Sequence, residues 1–182
     1  MKTLRLIAIV CAALCSAGIA EEKEKAKPWF PSPDGKYAVQ LEPEDQERMT
    51  TINLIEAKSG AVLATLDELG HPWINDIKMF WAPDSQRCAF VSGSRRGGRT
   101  SLYARKGEKF EEVPMPELIW ARTKGPPGAK TVLAETMPIR WTKPNVLLLA
   151  NNVEHDDGTS GTSRMLLTFD KDNHVTVTKT KQ

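Results

Sequence analysis

From residue 36 onward the apolar side chains recur at alternate positions. Tyr37, Val39 and Leu41 fall on one face of residues 36–41, which predicts a half-buried strand. Comparable short runs follow at 50–55, 61–66, 77–81, 87–91, 100–104, 110–113, 131–134, 139–141, 164–169 and 174–178. Residues 146–150 are apolar throughout and predict a central strand covered on both faces. Turn chemistry punctuates the runs, at Ser32-Pro33-Asp34-Gly35, Lys58-Ser59-Gly60, Pro83-Asp84-Ser85, Lys106-Gly107 and Lys171-Asp172-Asn173. Residues 42–48, 93–99 and 151–162 read as polar loops. The Pro/Gly cluster within 114–128 stops regular structure there. The pattern predicts about eleven short strands and no helix beyond residue 20, an all-β chain.

Three of these turns share a context. Phe-Pro-Ser-Pro-Asp-Gly-Lys-Tyr-Ala-Val, from Phe30 to Val39, returns as Phe-Trp-Ala-Pro-Asp-Ser-Gln-Arg-Cys-Ala-Phe, from Phe80 to Phe90. Pro33 and Pro83 lie fifty residues apart, and a looser copy runs from Ile139 to Leu149. A period of this size marks repeated supersecondary units. These stretches resemble the WD40-like β-propeller repeats of the bacterial TolB type, whose motif is close to W-S-P-D-G-K-x-I-A-F. Pro31 occupies the Trp position of the first copy, and Ser85 the Gly position of the second. The third keeps Trp141 but turns through Lys143-Pro144-Asn145. The resemblance implies antiparallel blade-like sheets and protein binding. It divides a single domain, residues 29–182, into units 29–70, 73–116 and 131–179. Propellers have typically four to eight blades, so three units predict an incomplete propeller-like array. The alternatives are a β-sandwich, a degenerate extra blade in 114–138, and a dimer that closes one ring from two three-unit halves.

The N-terminus reads as a signal peptide. Lys2 and Arg5 precede an apolar stretch, residues 6–14, and the small residues of 16–20 end at a cleavage site after Ala20. Cys15 has Ala12 three residues before it, so the usual lipid-attachment pattern is missing. Residues 21–28 read as a charged, disordered leader. The chain is therefore expected to be exported, periplasmic or secreted, with no membrane attachment after cleavage. Loss of Lys2 and Arg5 takes the formal charge from +2 to zero, which removes any argument for nucleic acid. Cys88 is the one cysteine left, in a predicted strand, and reads as a buried inert thiol.

No catalytic or cofactor motif occurs. The chain has no G-x-S-x-G, H-E-x-x-H, P-loop, G-x-G-x-x-G or C-x-x-C. No catalytic residue, cofactor or metal site is assigned. Glu154-His155-Asp156-Asp157-Gly158 offers oxygen and imidazole donors but matches no Ca²⁺ loop, and reads as a solvated hairpin loop. The loops at 42–48, 93–99 and 151–162 are equivalent by unit and alternate acidic, basic, acidic. Arg95, Arg96 and Arg99 make the basic one, where guanidinium forks suit carboxylates on a partner. Trp81 and Trp141 hold matching repeat positions and read as core, whereas Trp120 beside the Pro/Gly loop is the candidate for an exposed ligand contact. The candidate binding residues are thus Arg95, Arg96, Arg99, Trp120, His155, Asp156 and Asp157. The expectation is a non-enzymatic interaction module whose partner is another protein or a second copy. The rivals are a hydrolase or lyase with a loop-built site around Arg95, Arg99, His155 and Asp156, and a carbohydrate or small-ligand binder using Trp120.

Overall fold

Three antiparallel meanders stack on one another in the computed structural model, which describes residues 28–43, 49–70, 77–94, 97–116 and 128–180. The first sheet holds β1 (Tyr37–Pro43), β2 (Met49–Glu56) and β3 (Val62–Gly70), and a single bridge sets Trp29 beside Val39 of β1. The second holds β4 (Ile77–Trp81), β5 (Arg87–Ser94), β6 (Gly97–Lys106) and β7 (Lys109–Val113). The third holds β8 (Thr131–Lys143), β9 (Val146–His155), β10 (Ser160–Phe169) and β11 (Val175–Lys179). Every sheet follows chain order, so each strand pairs with its sequence neighbour. The described residues include no helix, hence none long and apolar enough to cross a membrane. The chain is all-β, and its described sheets form an open, blade-like array.

The first two repeat motifs fold identically. Gly35 N–H donates to Ser32 O and Ser32 N–H to Tyr37 O; fifty residues on, Ser85 N–H donates to Ala82 O and Ala82 N–H to Arg87 O. Asp34 Oδ1 accepts the Lys36 N–H, and Asp84 Oδ1 the Gln86 N–H. Gly35 has φ 70° and Ser85 has φ 57°, so the second copy places a side chain where only glycine is free of strain. In the third motif a two-residue turn joins Lys143 to Val146.

Alternation then decides what stacks. On β5, Cys88 and Phe90 face the first sheet and join Tyr37, Val39, Ile52 and Leu54 in one core. Ala89 faces the other way and meets Leu147, Leu149, Met165, Leu167 and Phe169 of the third sheet in a second core. The middle sheet is thus covered on both faces. The stack has three layers, one more than a simple sandwich. Two indoles tie it together. Trp81 Nε1 donates to Phe30 O at 2.9 Å, and Trp141 Nε1 to Phe80 O at 2.9 Å. Each repeat tryptophan thereby holds the backbone of the preceding motif.

Four expectations need correction. Residues 93–94 and 97–99, expected in a polar loop, belong to β5 and β6, which pair Gly93↔Gly98 and Ser94↔Gly97. Residues 131–134 and 139–141 are one strand, the 13-residue β8, which absorbs Val132, Ile139 and Thr142 as irregularities in its register with β9. Residues 151–162 are mostly strand. β9 and β10 pair out to Glu154↔Ser160 because Asn151, Val153 and His155 continue the inward alternation of Leu147 and Leu149. Finally, β9 is central in its sheet but fully covered on one face only, since Leu148 and Ala150 on the other are half-buried. The signal segment and leader, residues 1–27, lie outside the described residues.

Candidate functional site

The seam between the first and second sheets opens at the edge that carries the repeat turns. The Pro33-Asp34-Gly35 turn delivers Lys36 and Tyr37 to that edge. Register pairing sets Glu56 opposite Tyr37. Across the seam, the odd residues of β6 face the first sheet, so Arg105 follows Tyr103 towards it. Gly107, at φ 63°, makes the tight β6–β7 turn that raises Glu108 at the rim. The result is a cleft of about 420 Å³ lined by Lys36, Tyr37, Glu56, Leu63, Arg105 and Glu108. Its lining carries both signs of charge beside Tyr37, Ala61 and Leu63.

Arg105 is the best-held cation there. Its Cζ lies 5.6 Å from the centroid of the Tyr37 ring, a cation–π distance. Its Nε donates to Gly107 O at 3.0 Å. No carboxylate of the described residues pairs with its terminal nitrogens. Lys36 is exposed and pairs with Asp34 at 3.4 Å.

The residues singled out from sequence are dispersed. Arg95, Arg96 and Trp120 lie outside the described residues. Arg99 is exposed, and its Nη2 is 3.8 Å from Glu112 Oε1 on β7, so an acid from its own sheet accompanies it. His155 closes β9 with its side chain buried, whereas Asp156 and Asp157 are exposed. Asp156 Oδ1 accepts the Lys130 N–H at 2.9 Å. Asp157 accepts the Thr159 hydroxyl and N–H, and these bonds hold its carboxyl below the ordinary value. Both aspartates shape the turn, and His155 occupies a buried, inward position of β9 beside them. Trp81 and Trp141 are half-buried, Trp81 against Tyr37 and Phe110 and Trp141 against Phe169. Burial pushes the Cys88 thiol far up, as expected of an inert core cysteine.

Two further clusters emerge. Asp170, Asp172 and His174 bring three metal-type donors within 4.8 Å, the one such group among the described residues. All three are exposed. Asp170 Oδ1 already accepts the N–H groups of Asp172 and His174, which outweigh its desolvation and lower its pKa. This is turn capping, with Asn173 at φ 64° completing the turn. Inside the second seam, Thr136, Asn151 and Ser163 form a buried polar row across β8, β9 and β10. Thr136 Oγ donates to Asn151 Oδ1 at 3.3 Å, while Asn151 Nδ2 and Ser163 Oγ have no partner among the described residues.

Sequence reasoning missed Arg105 because it sits one residue before a turn lysine and reads as surface. The available signal was periodicity. Its parity with Tyr103 on β6 places it on a covered face, where a charged residue needs a reason. No family model matches the chain, and no curated protein matches it.

Proposed function

We propose that the protein is an exported, non-enzymatic interaction module built from WD40-like repeats of the TolB type. The observation that supports this reading is the recurrent tether, the Trp81 indole on Phe30 O and the Trp141 indole on Phe80 O. A motif repeated in sequence is then also a joint repeated in space. Stacked units of this kind present long edges of loops and turns without requiring chemistry, a form suited to capturing another protein. Arg105 at the cleft and exposed Arg99 lie towards opposite ends of β6, so two ends of the same strand offer cationic contacts.

The test is affinity capture from an envelope extract. The wild type is expected to retain a defined protein partner. The triple variant Arg95→Glu, Arg96→Glu, Arg99→Glu is expected to lose it while melting at the same temperature. Equal capture by the variant removes the basic loop from the reading. A wild type that retains nothing at low salt, where charge recognition is strongest, overturns the interaction role itself.

A further inference from the structure

We infer that the cleft between the first and second sheets is a peptide-binding subsite in which Arg105 receives a carboxylate. The inference deepens the interaction reading by naming a ligand class, and it is tested independently of any captured partner.

The two seams hold matching arginines with different partners. Each seam holds an arginine whose Cζ lies 5.6 Å from an aromatic centroid, Arg105 over Tyr37 and Arg87 over Phe169. The Arg87 guanidinium is spent. Its Nε donates to Asn173 Oδ1 at 2.9 Å, and its Nη1 is 3.6 Å from Asp84 Oδ2. It therefore works as a structural clamp between the second and third sheets. Arg105 likewise lies over an aromatic ring, Tyr37, and has an anchored Nε, here on Gly107 O. What it lacks is the carboxylate, and its fork lies beside an open cleft of about 420 Å³ instead of a closed seam. A guanidinium fixed by its ring and its Nε has lost most of its rotamer freedom, so little entropy remains to be lost when a carboxylate binds both terminal nitrogens.

The rest of the lining narrows the class. Leu63 and the Tyr37 ring, both in the lining, offer apolar contact to a methylene chain. Glu108 stands exposed at the rim with no basic partner among the described residues. Glu56 and Lys36 line the same cleft but are engaged, Glu56 by the Ser59 hydroxyl and Lys36 by Asp34, so a simple anion at Arg105 would meet Glu108 without compensation. A peptide with an acidic residue next to a basic one satisfies Arg105 and Glu108 together.

The experiment is a titration of the purified, ¹⁵N-labelled protein, reading the Arg105 Nε–H resonance. The probes are two acetylated and amidated dipeptides, Glu-Lys and Glu-Gln. Both are expected to shift that resonance saturably, and Glu-Lys to bind more tightly. Arg105→Lys keeps the charge but not the fork, and is expected to weaken both probes by about tenfold. Glu108→Gln, at an exposed turn position, is expected to remove the preference for Glu-Lys and leave Glu-Gln unchanged. Should Arg105→Lys fail to fold, the wild-type map decides: saturable shifts confined to Arg105, Tyr37 and their neighbours support the subsite. No saturable shift, saturable shifts centred elsewhere, or undiminished binding to a folded Arg105→Lys overturns it.

Discussion

At the scale of single residues, the repeat turns show how far local chemistry reaches. Asp34 is desolvated enough to raise its pKa. The Lys36 N–H and the hydroxyls of Ser32 and Ser85 bind its ionised form, and the net effect holds its carboxyl below the ordinary value. A depressed carboxyl stabilises the fold above its unfolded value, and that contribution fades as pH falls through the folded value. Asp34→Asn is therefore expected to lower the melting temperature at neutral pH, with the gap from wild type closing below about pH 4. Calorimetry across that range checks it, and a constant gap would contradict it. Proline, aspartate and glycine made this turn legible in the sequence. The role of Ser85 was not legible. It sits at a glycine position with φ 57°, fully buried, and its Oγ accepts the Asp34 N–H of the preceding unit at 3.2 Å. A contact across fifty residues leaves no trace in local pattern.

At the scale of elements, strand placement followed from alternation, and the errors came where alternation is carried by polar residues. Asn151, Ser163 and His155 look like loop composition, yet they occupy inward positions of β9 and β10. Sheet register overrides composition here because every inward position of a stacked sheet is covered, whatever its chemistry. The repeat tryptophans behave in the opposite way, with a role readable from their matching positions. Trp141 reaches Phe80 O at 2.9 Å and packs 5.4 Å from Phe169, centroid to centroid. Trp141→Phe keeps an aromatic ring but loses the donor, and is expected to cost about 2 kcal/mol in chemical denaturation. A cost below about 0.5 kcal/mol would show that the tether does not hold the second and third units together.

At the scale of the whole molecule, equivalent positions differ according to what lies against them. Gln40, Phe90 and Leu149 occupy the same place in the three units, two residues beyond the strand position that opposes the first strand. Phe90 and Leu149 face a neighbouring sheet and are at most 1% exposed. Gln40 faces outward on the first sheet. Its neighbour Asn53 is joined to Glu42 and Thr65 in a cross-strand polar ladder. The outer face of the first sheet thus has the polar character of a capping unit. Leu149→Ala is expected to destabilise the whole chain by about 2–5 kcal/mol. Gln40→Ala is expected to change stability by no more than about 0.5 kcal/mol. Light scattering alongside denaturation checks the contrast. A large loss of stability or a change of mass for Gln40→Ala would mean that another surface covers this face in solution.

The sequence by itself determined the strands, most of their boundaries, the repeat turns and the open three-unit plan. These depend on period-two burial and on turn residues whose φ preferences are local. Only the tertiary structure decided which faces stack, which tryptophan holds which carbonyl, and which of two equivalent-looking arginines is spent. The physical reason is that those outcomes rest on contacts fifty or more residues apart. Arg87 meets Asn173 through its Nε and pairs with Asp84, whereas Arg105 meets a ring and a carbonyl and keeps its fork free.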